Sequence, residues 1–193
     1  MNILSIEEGF PPELTSARLP FEFACELVKR GHKVTIITVF PRKYLTPTIV
    51  KEPPKGKFFY WEKKDGFTIL RVRPYFKRAS LLVRFLEYLV LPVTFFISGL
   101  FVGKSKDLIH CQTPPLTIAF IACVLGKILR KPVVVRIQDI HPDALVKVGL
   151  LKNRLLIKLM EFIELFVYAH ASLITVIAEG YKRHVVSVIR NPE

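Results

Sequence analysis

The stretch GFPPELTSARLPFEFACELVKRGHKVTIIT, residues 9–38, decides the fold prediction because it joins a strand-like run to an amphipathic helix. Residues 2–6 form a nearly continuous apolar run before it, and Ser16 is a plausible helix N-cap. Four side chains recur at the i, i+3, i+4, i+7 spacing of one helical face: Phe21, Ala24, Cys25 and Val28. Gly31 ends the helix and residues 33–38 are rich in β-formers. The sequence therefore predicts a βαβ unit whose first loop lies where open parallel sheets bind ligands.

Strand-like and helix-like segments alternate along the rest of the chain. Strands are predicted near residues 2–6, 33–38, 108–111, 133–138, 173–177 and 187–190. Helices are predicted near residues 16–30, 80–103, 116–129, 153–170 and 179–186. This alternation predicts an α/β fold, a Rossmann-like doubly wound parallel sheet, and the length of 193 residues favours one domain over residues 1–193.

An insertion over residues 40–72 interrupts the alternation after the second strand. Its first part, up to residue 57, is rich in Pro and Lys and is typical of a mobile loop. Two β-prone runs, residues 58–62 and 67–72, then flank an Asp-Gly pair at residues 65–66, which is a strong hairpin signal. We expect this β-hairpin at the edge of the sheet.

A long apolar segment follows, within the helix predicted over residues 80–103. Between Glu87 and Lys104 sixteen residues carry no charge, which is fewer than the roughly 20 that span a bilayer, and Pro92 interrupts them. Two interpretations stay open: a helix buried against the sheet, or a helix docked in a bilayer surface. Five basic residues near its start could contact anionic lipid: Arg71, Arg73, Lys77, Arg78 and Arg84.

The charge and the cysteine content indicate which kind of partner and which cellular compartment to expect. The net charge is +13, and residues 42–84 carry twelve Lys or Arg against three acidic residues, a local charge of +9. This excess indicates an anionic partner or a solvated surface. The three cysteines, Cys25, Cys111 and Cys123, lack the paired spacing of metal or redox sites and are typical of core residues in a reducing compartment. Without a secretory signal at Met1, the sequence predicts a cytoplasmic location.

Several sequence blocks resemble one known family. The loop and helix start PPELTSAR is followed by the block ELVKRGHKVTIIT. Four further blocks come in the same order as in that family: DGFTILRVRPY (65–75), HCQTPPLTIAF (110–120), VVVRIQDIHPDALVKVGLLKN (133–153) and ITVIAEGYKRHV (174–185). Together they are similar to the amino-terminal domain of retaining glycosyltransferases of the GT-B fold, family four, of the kind that assembles polysaccharides and glycolipids.

The resemblance implies one half of a GT-B enzyme. We expect the acceptor-binding domain of a glycosyltransferase that moves a sugar, with retention, from a nucleotide-sugar donor to a lipid-linked or polysaccharide acceptor. The donor-binding carboxy-terminal domain is expected outside this chain, which alone should then be nearly inactive. No cofactor is expected beyond the nucleotide sugar as co-substrate, and a peripheral position on the inner face of the cell membrane fits a lipid-linked acceptor.

The resemblance also points to the loops after the first, fourth and fifth parallel strands, which should converge at one rim of the sheet. Asp139 is the expected catalytic carboxylate, and His141 is a candidate proton carrier, since Gln138 stands where many members have a His. Seven residues are candidates for contact with the acceptor or the donor sugar: Gly9, Thr15, Ser16, Arg18, His110, Thr113 and Gln138.

Other functions are weighed against this one. A non-catalytic subunit that docks on membranes or binds lipid phosphate fits the same charge and apolar segment. Nucleic-acid binding would use the charge together with Tyr60, Trp61 and Tyr75, although no reader motif is present. The sequence also lacks dinucleotide, P-loop and nucleophile-elbow motifs and any clustered His, Cys and Asp set, so no metal site is predicted.

Overall fold

The computed structural model describes residues 1–12, 18–40, 58–72 and 81–190, with the backbone alone for residues 81–89. The fold is α/β and Rossmann-like, with mostly parallel strands flanked by helices, which confirms the predicted fold class. The chain forms two compact units, Met1–Leu108 and Ile109–Glu193. The predicted N-cap Ser16 and nearly all of the predicted loop 40–57 lie outside the described residues.

The first unit contains a sheet of four strands in the order β3-β4-β2-β1. Their bounds are Asn2–Ile6 for β1, Lys33–Val39 for β2, Phe59–Lys64 for β3 and Phe67–Val72 for β4. The pairs β1–β2 and β2–β4 are parallel, whereas β3 runs antiparallel to β4 at the edge. The βαβ unit and the edge hairpin both form as predicted.

The turn between β3 and β4 shows why Asp-Gly marks this hairpin. Both turn residues have positive φ, 52° at Asp65 and 82° at Gly66, as a tight turn of the primed type requires. A Cβ on Gly66 would also lie 2.9 Å from Cγ1 of Val28. Glycine is therefore needed at this position both for the backbone angle and for the close approach to the neighbouring helix.

Two helices cover the first sheet. The first, α1 (Arg18–Lys29), packs on β2 over a core cluster that contains Phe10, Ile36 and Ile69. The second, α2 (Leu81–Gly103), contacts β1, β2 and β4, so the long apolar segment is a helix packed against the sheet. Its buried positions include Phe95, Ser98 and Val102, and its exposed positions include Val90, Val93, Ile97 and Phe101.

The second unit contains three parallel strands in the order β5-β6-β7. The strands are β5 (Leu108–Thr113), β6 (Val133–Ile137) and β7 (Leu173–Val176). The helices are α3 (Leu116–Leu129), α4 (Asp143–Lys147), α5 (Arg154–His170) and α6 (Glu179–Arg190). The Asn153 side chain accepts hydrogen bonds from the backbone N–H groups of Leu155 and Leu156, which fixes the start of α5.

The main differences between this unit and the prediction concern β5, α4 and the end of α6. The strand predicted over residues 108–111 continues to Thr113, and the short helix α4 was not predicted. The strand predicted over residues 187–190 is wrong, because those residues complete α6. No Gly or Pro interrupts the chain between Tyr181 and Arg190, so the helix continues through its β-branched residues.

Candidate functional site

The carboxyl ends of β5 and β6 lie side by side in the second unit. Their register pairs Gln112 with Arg136 and Thr113 with Ile137. Past the strand ends, the backbone N–H of Gln138 donates to the carbonyl of Thr113 at 3.1 Å. The Gln138 side-chain amide also donates to Oε1 of Gln112 at 2.7 Å. Two of the three loops expected to form the site are therefore held together by direct hydrogen bonds.

Two buried polar atoms in these loops have no hydrogen-bond partner among the described residues. They are the hydroxyl of Thr113, a residue that is 2% exposed, and Nδ1 of His141. A buried polar atom without a partner costs free energy, about 1–3 kcal/mol, unless a ligand or water bonds to it. The hydroxyl groups of a sugar can both donate and accept, so they suit both atoms.

The other candidates in this unit differ in placement. Asp139 is exposed in the turn after β6, where its carboxylate is accessible to a ligand. His110 was expected to end its strand, but β5 continues for three more residues and His110 is buried inside it. We therefore correct its expected position at the rim of the sheet: a side chain within the strand faces the packed interior.

A polar network lies next to this turn, on α4, α5 and α6. Glu164, only 3% exposed, accepts a hydrogen bond from the Tyr168 hydroxyl at 2.7 Å. Nε2 of His184 lies 3.0 Å from the same carboxylate oxygen, and its Nδ1 lies 4.0 Å from Oδ2 of Asp143. Burial raises the pKa of Glu164, while the hydrogen bonds from Tyr168 and His184 lower it. Asp143, the first residue of α4, lies beside this network at a distance longer than a hydrogen bond.

The first unit carries the loop after β1. Gly9 is buried, and the ring of Phe10 packs edge-on against Phe21 and Phe67 at 5.9 and 5.8 Å. Arg18 opens α1 and pairs with Glu22 at 2.8 Å, with an exposed guanidinium. Thr15 and Ser16, the two other candidates in this loop, lie outside the described residues.

Arg71 requires a correction, because it was expected to contact lipid headgroups. Its side chain is 4% exposed; it bonds Glu62 at 2.6 Å and donates to the carbonyl of Pro11 at 2.6 Å. A buried guanidinium in these bonds braces the loop after β1 and cannot reach a bilayer. Arg73, Lys77 and Arg78 lie outside the described residues, as does the side chain of Arg84.

Some of these features had a signal in the sequence and some did not. Arg71 shares the two-residue alternation of Phe67 and Ile69, which predicts an inward side chain. Glu164 and Tyr168 stand four apart in α5, which is the spacing of one helical face. Sequence reasoning missed both, and the contact with His184, twenty residues further on, had no local signal. Glu7, a buried carboxylate after β1 that bonds the Ser5 hydroxyl, was also missed.

Neither a metal-binding cluster nor a membrane-spanning helix is found among the described residues. No group of three or more His, Cys, Asp or Glu side chains there is arranged to hold a metal ion. None of the helices in the same ranges is long and apolar enough to cross a membrane.

Comparison with known families gives one match. Residues 19–192 match the family described as glycosyl transferase 4-like domain, which is nearly the whole chain. A search of curated proteins finds no matching sequence.

Comparison with solved structures finds similar folds. The crystal structure of Arabidopsis thaliana UGT89C1 complexed with UDP is 10% identical with a TM-score of 0.50, covering 92% of this chain and 42% of that chain. The structure of Phytolacca americana apo UGT2 is 13% identical with a TM-score of 0.52, covering 100% of this chain and 50% of that chain. At such low sequence identities the structural similarity indicates only a shared fold of the GT-B type. The chain spans half or less of each of these structures.

Proposed function

The chain belongs to the glycosyl transferase 4-like domain family, and from that premise we propose that it is the acceptor-binding domain of a retaining glycosyltransferase. The donor is a nucleotide sugar and the acceptor a lipid-linked or polysaccharide glycan. The donor-binding domain is proposed to lie outside these residues, because the similar solved structures are about twice as long. One of them is complexed with UDP, which supports a nucleotide-sugar donor.

One observation carries the proposal: the paired loops after β5 and β6. Gln138 bonds the backbone of Thr113 and the side chain of Gln112 at the end of β5, so the starts of the two loops are held together. The unpartnered atoms of Thr113 and His141 then offer fixed positions for sugar hydroxyls. Binding a ligand to preorganised groups avoids the cost of ordering them, which favours a specific acceptor.

Asp139 is the proposed catalytic carboxylate. In the transfer, the bond between the anomeric carbon and the phosphate oxygen of the donor breaks, and a bond to the acceptor oxygen forms. The acceptor hydroxyl passes its proton to His141, the proposed proton carrier, and the nucleotide leaves with the bonding electron pair. A carboxylate at an exposed turn orients that hydroxyl or stabilises positive charge on the sugar.

We also propose that the acceptor is associated with a membrane. The outer face of α2 carries four exposed apolar residues at helical spacing: Val90, Val93, Ile97 and Phe101. An outward face of a helix is normally polar, so this stripe supports docking on a bilayer surface, where a lipid-linked sugar is found. The same stripe favours the second candidate, a lipid-binding subunit without catalysis.

The test measures sugar transfer by the complete polypeptide with a panel of nucleotide sugars and a lipid-linked acceptor. Asp139→Asn should lower kcat by about 10²-fold or more, since a positioned carboxylate is lost without a change in shape. Asp65→Asn is the matched control, because Asn suits its positive φ in the hairpin turn and the site should not change. An unchanged rate for Asp139→Asn ends the assignment of that carboxylate. No transfer from any donor, together with vesicle binding, favours the lipid-binding subunit.

A further inference from the structure

The amino-terminal half of α5 exposes apolar side chains where a surface helix is expected to be polar. Leu155, Leu159 and Phe162 are 79, 53 and 62% exposed and follow the i, i+4, i+7 spacing of one face. Val148 and Leu150, in the turn before the helix, are 67 and 78% exposed. We call these five residues the α5 surface. The helix buries Glu164 on another face, so the α5 surface is not its core-facing side.

Basic side chains surround this surface. Residues 147–162 carry one acidic residue, Glu161, and four basic residues, a local charge of +3. All five charged side chains are exposed, and the basic ones are Lys147, Lys152, Arg154 and Lys158. Exposed apolar side chains flanked by cations match a bilayer interface, where acyl chains receive the former and anionic headgroups the latter.

We propose that the α5 surface docks on anionic lipid, with the helix lying in the plane of the bilayer interface. A second copy of the chain fits this surface less well, because symmetric pairing would place four cations against four. The inference deepens the lipid-linked acceptor of the proposed function, yet vesicle binding needs no sugar transfer, so either can fail alone.

The helix start fixes the geometry of the surface. The Asn153 side chain accepts two backbone hydrogen bonds, at 2.9 and 3.2 Å, so the first turn of α5 is capped and Leu155 projects from a fixed position. The apolar residues on this turn and on the preceding one thus form a preordered anchor, and docking does not have to fold the helix first.

The test is vesicle co-sedimentation of the complete polypeptide, with phosphatidylcholine alone and with roughly 30% phosphatidylglycerol added. The triple variant Leu155→Ser, Leu159→Ser, Phe162→Ser should bind mixed vesicles about tenfold more weakly or worse. A matched control removes three other exposed apolar side chains of the same unit, Ile128→Ser, Ile177→Ser and Ile189→Ser, and should bind like the unchanged chain. Circular dichroism checks that each variant is folded.

Two further variants distinguish docking through the α5 surface from docking through the α2 stripe and from pairing of two copies. Lys152→Gln, Arg154→Gln, Lys158→Gln should remove the preference for phosphatidylglycerol and flatten the salt dependence. Val93→Ser, Ile97→Ser, Phe101→Ser removes the α2 stripe of the proposed function instead. Binding that is lost only in the α2 variant overturns the α5 inference and keeps membrane association. An equal loss of vesicle binding in the matched control also overturns it. So does light scattering that shows a dimer for the unchanged chain and a monomer for the α5 variant, when the unchanged chain does not bind vesicles.

Discussion

Helices α3 and α5 pack against each other in the second unit but differ in the side chains that they bury. Every buried residue of α3 is apolar: Leu116, Ile118, Ala119, Ala122, Cys123, Leu125 and Gly126. In contrast, α5 buries Glu164 and Tyr168 beside Val167 and exposes leucines and a phenylalanine in its first half. Phe120 and Phe166 meet between the two helices at 4.9 Å.

The difference shows that helix hydrophobicity alone does not tell which face is inside. In α3 the apolar residues are used for packing on β6 and α5, as in a buried helix of an α/β fold. In α5 the polar pair Glu164 and Tyr168 is kept inside with His184, and apolar residues are left at the surface. A fold rarely exposes large apolar groups together without a partner for them. The contrast therefore separates a structural helix from one with a binding face.

The largest expected effect on stability is the difference between truncating a leucine of α3 and truncating a leucine of α5 to alanine. Leu125→Ala in α3 removes a fully buried side chain and should lower the free energy of unfolding by about 3 kcal/mol. Leu155→Ala in α5 removes an exposed side chain and should change it by less than about 0.5 kcal/mol. Urea denaturation of both variants measures the difference. Equal losses would mean that the α5 surface is buried in solution and would break the comparison.

Alanine substitutions at two glycines, Gly126 in α3 and Gly180 in α6, test how tightly α3 is packed. A Cβ on Gly126 would lie 2.2 Å from Cγ2 of Val133, so Gly126→Ala must push α3 away from β6 and should cost about 1–3 kcal/mol. No atom of the described residues outside the helix backbone lies within 4 Å of a Cβ on Gly180 in α6, and Gly180→Ala should raise stability by about 0.5 kcal/mol, because alanine favours helix. Thermal unfolding of the two variants gives the signs. A neutral Gly126→Ala would contradict the close contact.

The sequence predicts more of α3 than of α5. In α3, a continuous apolar run after a strand and a Pro-Pro turn is enough to place the helix and its burial. In the first unit, Asp65 and Gly66 likewise predict the hairpin, because the turn type requires positive φ. These features depend on local backbone preference and periodicity, which a single sequence contains.

The features that the sequence did not reveal depend on tertiary contacts. The burial of Glu164 on α5 is accompanied by a contact with His184, which α6 brings to it from twenty residues further along the chain. His110 was placed at the rim because its strand was predicted two residues short, and such boundaries respond to pairing with β6 rather than to propensity. The pairing of Gln112 with Gln138, which holds the candidate loops, is also a contact between strands.

A smaller effect is expected from the polar side of α5. Tyr168→Phe removes the hydroxyl that donates to Glu164 and should lower the free energy of unfolding by about 1.5 kcal/mol, since hydrogen bonds to charged groups are the stronger ones. Tyr181→Phe in α6 is the control, because that hydroxyl makes no side-chain hydrogen bond within the described ranges, and it should cost less than about 0.5 kcal/mol. Equal costs would mean that the buried network contributes little to α5.

The smallest expected effect is a pH dependence of stability that the buried carboxylate introduces. Burial raises the pKa of Glu164 above its ordinary 4.5, so the folded chain binds a proton that the unfolded chain has already lost in the window between the two values. The stability contributed by Glu164 should therefore fall as the pH rises from 4.5 through that window. Glu164→Gln removes this dependence, whereas Glu161→Gln, at an exposed position of the same helix, should leave it unchanged. Urea denaturation across the pH range gives the difference between unchanged chain and variant. The opposite result would be a free energy of unfolding that rises with pH in the unchanged chain relative to Glu164→Gln. It would show that Tyr168 and His184 stabilise the Glu164 carboxylate more than burial destabilises it, so that the ionised carboxylate stabilises the packing of α5.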